Sequence, residues 1–144
     1  MKTFSTFRES IIDIPRRTYA PLVFDDADTK NPKIKQSVLD MIHNQIKDFE
    51  KEYPIIKIAL IGSILTKRYR NDADLDINVL FDVPEGQRED ERLRLSKKYL
   101  SSKNPDNIQG IEIPGTEHPV NYYFITDEET YDGQNAKADA VFDI

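Results

Sequence analysis

The residues of this chain best suited to chemistry are two aspartates one residue apart, Asp74 and Asp76, in the run Asp74-Leu75-Asp76-Ile77-Asn78-Val79-Leu80-Phe81. Side chains at i and i+2 of a β-strand share a face. The alternation therefore predicts that both carboxylates project together while Leu75, Ile77 and Val79 point into a core. Two carboxylates about 7 Å apart along a strand repel each other (rise about 3.3 Å per residue). Such a pair is unfavourable unless a cation sits between them. Hard oxygen ligands on a rigid strand suit Mg²⁺, which keeps waters and takes phosphate oxygens. Upstream stand Gly62 and Ser63, with ten residues between Ser63 and Asp74. Glycine lets backbone approach a ligand closely. Free N–H groups and the Ser63 hydroxyl at the start of a helical turn would bind a phosphate. A phosphate cradle beside paired carboxylates is an arrangement for phosphoryl transfer.

The elements that must position these groups are legible as periodicities. Ile34, Val38, Met41, Ile42, Ile46 and Phe49 recur at three- and four-residue spacings and predict a helix closed by Pro54. Ile55 to Ile61 is a short apolar run between Pro and Gly, expected to be a buried strand. Ile64 to Tyr69 is expected to form a helical turn and Asn71-Asp72 a turn before the Asp74–Phe81 strand. Pro84 can open a helix. Acidic Glu85, Glu89 and Glu91 lie early in it and Lys97 and Lys98 late, as the helix dipole prefers. Ile108 to Ile113 and Pro119 to Ile125 read as two further strands joined by Pro114-Gly115-Thr116, and Ala140 to Ile144 as the start of another. Because the chain stops inside that strand, a truncated C-terminus is expected. Residues 1–33, punctuated by Pro15, Pro21 and Pro32, are expected to be irregular apart from a short helix around Glu9 to Ile12. Residues 34–144 are expected to be one domain. The fold class is α/β (α+β): a small mixed β-sheet with helices packed mainly on one face.

With 144 residues, 38% hydrophobic and 32% charged, the chain has the composition of a globular domain with a single core. No apolar run approaches the roughly 20 residues of a membrane helix, and the first eight residues lack the apolar stretch of a secretory signal. There is no cysteine, hence neither a disulfide framework nor a thiolate metal site. The default compartment is cytoplasmic. A net charge of −6 disfavours extended nucleic-acid binding, which needs a basic surplus. A nucleotide held through a local metal site is compatible with an acidic protein.

A hydrophobic-Gly-Ser segment, a ten-residue spacer and an Asp-x-Asp strand with apolar flanks together resemble the signature of the DNA polymerase beta-like nucleotidyltransferases. The order helix, strand, Gly-Ser turn, Asp-x-Asp strand, helix, strand is similar too, over residues 34 to 125. The whole chain also resembles nucleotidyltransferase-like proteins of large tailed phages, in Thr18-Tyr19-Ala20-Pro21 and Gly115-Thr116-Glu117-His118-Pro119-Val120-Asn121-Tyr122. The resemblance implies that Gly62 and Ser63 hold the β and γ phosphates of a nucleoside triphosphate and that Asp74 and Asp76 bind two Mg²⁺ ions. An acceptor hydroxyl on a small molecule, a protein side chain or an RNA end would attack the α phosphate and release pyrophosphate. Lys67 or Arg68 would steady the leaving phosphates. The family also carries a third carboxylate on a later strand. Here Asn121 stands at that place, with Glu112 and Glu117 as the nearby acids that would fill the role. If neither does, the chain is a nucleotide-binding module without transferase activity. A third reading is an accessory or interaction protein with no nucleotide dependence.

Several bland readings compete at individual residues. Asp72-x-Asp74-x-Asp76 is not a calcium loop, because Ile77 and Val83 stand where that loop needs Gly and Glu. Lys67, Arg68 and Arg70 also read as a solvated basic cluster. His118 reads as a packing residue and His43 as part of a helix's polar side. Of Tyr122, Tyr123 and Phe124, mostly core by type, one tyrosine must face the opposite side of the strand.

Overall fold

Among the described residues a five-stranded mixed sheet, a two-stranded sheet and three α-helices position the Gly62-Ser63 turn and the Asp74–Asp76 segment. The computed structural model describes residues 16–105, 107–138 and 141–143, with side chains up to residue 138. The short helix expected near Glu9 lies outside these residues. In chain order the elements are β1 (Phe24–Asp25), β2 (Lys33–Ile34), α1 (Gln36–Glu50), β3 (Ile55–Ile61), a 3₁₀ turn (Ser63–Leu65) and β4 (Leu75–Phe81). Then follow α2 (Arg88–Tyr99), β5 (Ile111–Glu112), β6 (Pro119–Ile125), α3 (Glu128–Ala136) and β7 (Val141–Asp143). β1 and β2 form a small antiparallel pair; the rest make a mixed sheet in the order β5-β6-β4-β3-β7. β4 is antiparallel to β3 and parallel to β6, and pairs Asp76 with Ile61 on one side and Asn121 on the other.

The expected apolar stripe of α1 is the one buried: Val38, Ile42, Ile46 and Phe49 pack into a core shared with Leu75, Ile77, Val79, Val120, Tyr122 and Phe124. Alternation along β4 and β6 thus sends every second side chain to the helix layer. Phe49 is the hub. Its ring meets Tyr99, Tyr122 and Phe124 edge-on at 5.1, 5.1 and 4.8 Å, a favoured aromatic geometry. The Tyr122 hydroxyl, carried into this layer, donates to Gln45 on α1. From α2 only Leu95 is fully buried, whereas Leu93 is exposed. Residues before α1 contribute to the same core through Ala20, Val23, Phe24 and Ile34.

Three local departures from the sequence expectation have physical causes. The helix after Pro84 begins only at Arg88, because Pro84 to Gln87 is a turn closed by a Gln87 N–H to Pro84 carbonyl bond, with Gly86 at φ +93°. The strand expected over Ile108–Ile113 shrinks to Ile111–Glu112. Gly110 turns left-handed at φ +77°, and the Gln109 side chain takes over as the neighbour of β6. Its amide donates to the Tyr122 carbonyl (3.1 Å) and accepts from the Tyr122 N–H (2.8 Å). The third departure is α3, which packs Tyr131 with Ala59, Leu80 and Ile125 on the opposite face from α1 and α2. Helices therefore lie mainly, not wholly, on one face.

α1 and α2 are also tied at their ends. Glu52 accepts from Lys98, Arg94 (3.1 Å) and Tyr99 (3.0 Å). The Lys98 bond, foremost, brings its carboxyl down to about 2 although burial opposes this. A depressed folded-state pKa stabilises above the unfolded value and is lost as pH falls. The Glu52 contribution should therefore vanish between its ordinary 4.5 and about 2. Glu52→Gln is expected to cost about 1 kcal/mol at neutral pH and to blunt the acid limb of the stability curve, read by urea titration from pH 7 to pH 2.

Candidate active site

β3 ends at Ile61, and the next residue must reverse the chain beside β4. Only glycine does this readily at Gly62, where φ is +112° and ψ 169°. A Cβ built there would lie 3.4 Å from Asp76 Oδ2 and 3.6 Å from the Asp74 carbonyl oxygen. The turn at Gly62 thus lies against the Asp76 carboxylate and the Asp74 backbone. The chain then enters the 3₁₀ turn Ser63–Leu65, closed by Thr66, whose N–H and hydroxyl both donate to the Ser63 carbonyl at 2.9 and 2.7 Å. Ile64 is fully buried and anchors the turn. Gly62→Val is expected to lose about 1–3 kcal/mol of stability by forcing a branched side chain into this conformation. Urea titration would read the loss.

Asp74 sits just before β4 and is exposed; Asp76 lies on β4 and is half-buried. They share the face opposite the helix layer, since Leu75 and Ile77 are fully buried. Burial first, and the charge of Asp74 second, hold the Asp76 carboxyl above its ordinary range, with the Tyr123 hydroxyl pulling the other way. The bonds to the two acids from β6 come from neutral donors. The Asn121 amide donates to Asp74 Oδ2 (2.9 Å) and the Tyr123 hydroxyl reaches Asp76 Oδ1 at 3.5 Å. Burial and the two aspartates raise the Tyr123 hydroxyl pKa. The next inward position of this face, Asn78, is fully buried. It donates to Asn135 of α3 (3.0 Å), and its Oδ1 has no partner among the described residues.

The other candidates divide. Asn121 joins the pair through its bond to Asp74. Glu112, exposed on β5, pairs in register with Pro119 rather than Asn121. The position across from Asn121 is taken by Gly110, where a Cβ would lie 3.9 Å from Asn121 Oδ1. Glu117 borders a cleft of about 510 Å³ at the same end of the sheet, with Arg16, Leu22, Tyr69, Asn71 and His118. His118 is buried and its Nδ1–H donates to the Ala73 carbonyl (2.9 Å), fixing the residue before Asp74. Arg16 lies over the Tyr69 ring at 4.4 Å. The Lys67 ammonium lies 5.3 Å over the Tyr19 ring, while Arg68 is exposed and its N–H donates to Thr66 Oγ1. Among the described residues no group of three His, Cys, Asp or Glu is placed to hold a metal. The donor set of hard oxygens on Asp74 and Asp76, mutually repelling and open to the Gly-Ser turn, fits one hard divalent cation. Sequence reasoning did not single out Gly110 or Gln109. A glycine inside an apolar run was the available signal.

Among the described residues no helix is long and apolar enough to cross a membrane. Neither curated proteins nor solved structures provide a match to the chain. The profile of the nucleotidyltransferase domain does match, over residues 42–132, a span from α1 to α3 that contains the Gly-Ser turn and the aspartate pair. The chain belongs to the nucleotidyltransferase domain family, and its mixed sheet with flanking helices is consistent with the fold of that family.

Proposed function

We propose that the chain transfers a nucleoside monophosphate from a nucleoside triphosphate to an acceptor hydroxyl. The observation that supports this reading is the close approach of Gly62 to Asp76, where a Cβ would lie 3.4 Å from Oδ2, so that the glycine turn and the carboxylate adjoin. Gly62 and Ser63 would hold the β and γ phosphates. Asp74 and Asp76 would hold magnesium, which neutralises phosphate charge when bound. Lys67 or Arg68, on the loop that follows, would steady pyrophosphate as it leaves. In the reaction the acceptor oxygen bonds to the α phosphorus, the bond from that phosphorus to the β-phosphate oxygen breaks, and the hydroxyl proton passes to solvent. The cleft beside His118, about 510 Å³, has the size of a small-molecule pocket but is lined by none of Gly62, Ser63, Asp74 and Asp76, so the choice of a small-molecule acceptor over an RNA end rests on charge. The net charge of −6 favours that choice.

The test is thermal unfolding with each nucleoside triphosphate, with and without Mg²⁺. At 100 times its dissociation constant a ligand adds about 2.7 kcal/mol. A Mg²⁺-dependent rise for at least one triphosphate, lost in Asp74→Asn/Asp76→Asn, is expected. No rise with any of them would favour an accessory protein without nucleotide dependence. A second reading, a nucleotide-binding module that releases no pyrophosphate, is favoured by Asn121. A coupled pyrophosphate assay across acceptor hydroxyls separates the two.

A further inference from the structure

Asn121 does more than stand near the acids. In the parallel register it lies directly beside Asp76, and its Nδ2 donates to Asp74 Oδ2 at 2.9 Å. This bond sets the amide's orientation, because the reversed amide would bring one oxygen against another at that distance. The end of Asn121 facing the pair is therefore an N–H₂ group, which carries partial positive charge and has no lone pair for a metal. The lone-pair direction of Asp74 Oδ2 that it occupies is closed to a cation. On the far side of Asn121 the sheet offers Gly110, which has no side chain, and Glu112 is displaced to the Pro119 register. An octahedral Mg²⁺ needs six oxygens at about 2.1 Å. Asp76 and the second oxygen of Asp74 can help supply these for one ion alongside phosphate oxygens. A second ion would have to find its ligands beside Asn121, whose N–H₂ group faces the two acids while its one oxygen is turned away from them toward Gly110.

We propose that Asn121 limits this site to a single divalent ion, the one that enters with the triphosphate. The inference rests on the triphosphate reading above and goes beyond it in fixing the metal count. Mn²⁺, which takes oxygen-rich octahedral sites like those of Mg²⁺, is the probe. Bound Mn²⁺ per chain would be counted by electron paramagnetic resonance in the presence of a triphosphate with a non-cleavable α,β-methylene bridge. Wild type should hold one ion. Asn121→Asp, nearly isosteric, should hold two. Asn121→Ala, which removes the amide without adding a carboxylate, should hold one. Circular dichroism would show that each variant is folded. Two ions in wild type would overturn the proposal, as would one ion in folded Asn121→Asp. If the analogue fails to bind any of the three proteins, the triphosphate reading itself falls and this inference with it. If it binds with two ions in wild type, that reading stands and only the inference is lost.

Discussion

Under the proposed function, Asp76→Asn is expected to lower nucleotidyl transfer by about 10²–10³-fold while leaving the fold intact, since it would remove a carboxylate that holds the divalent ion at the phosphates. The same substitution should raise stability when no divalent ion is present. The Asp76 carboxyl is held above its ordinary value by burial and by the charge of Asp74. The folded chain therefore binds this proton more tightly than the unfolded chain. Stability falls as pH rises from the ordinary 3.8 through the raised folded value, and at neutral pH the ionised Asp76 is a net destabiliser. Asparagine removes that charge at every pH. Melting curves in a chelator should place the variant at or above wild type at pH 7. Addition of Mg²⁺ with a triphosphate should reverse the order, because only wild type keeps the full pair of carboxylates. A variant as active as wild type, or one that melts well below it in chelator, would contradict this account. The first result would remove Asp76 from the chemistry. The second would make its carboxylate a structural anchor.

The largest effect on stability is expected at Phe49. Its side chain is fully buried and touches three other rings drawn from α2 and β6. Truncation to alanine removes the ring's transfer energy and leaves a cavity between helix and sheet, a combination that costs about 3–5 kcal/mol. Domains of this kind hold only about 5–15 kcal/mol in all. Phe49→Ala should therefore bring the urea midpoint down steeply with little change in slope. Phe49→Leu should recover a good part of the loss. Because Tyr122 and Phe124 flank Tyr123 in sequence, the alanine variant should also weaken triphosphate binding in the folded fraction. An unchanged midpoint would show that α1 is not tied to the sheet through this ring.

These two sites also show how far the sequence could be read. The stripe ending at Phe49 and the alternation through Asp74 and Asp76 are strong periodic patterns, and the helix, both central strands and the face of the carboxylates follow from them. Strand Pro119–Ile125 was legible for the same reason, as was the outward turn of one of its two tyrosines, which the structure shows to be Tyr123. α3 was not. Its start carries a good signal, Asp127 capping the Thr130 N–H at 2.9 Å with Glu128 and Glu129 in the first turn. Yet only Tyr131 is buried from it, so it has almost no apolar period to detect. β5 failed for a different reason. Its composition is that of a strand, and a left-handed glycine together with the Gln109 side chain replaced most of its ladder, a tertiary arrangement invisible to local pattern. In the site, the position of Asn121 was readable. Its bond to Asp74 and the gap at Gly110 depend on cross-strand register, which spacing along the chain does not encode.

Tyr123 opens an optical route to the site. The chain has seven tyrosines and no tryptophan, so no indole emission masks a local signal. Tyr123 is 45% exposed, with its hydroxyl 3.5 Å from Asp76. A tryptophan at this one position would be the sole indole in the molecule, half in water and half against the carboxylate face. Its colour and brightness would follow the wetness of that face, and a nucleobase stacking on it would quench it. The same strand geometry that turns one aromatic of three away from the core thus supplies a place for a spectroscopic reporter of occupancy.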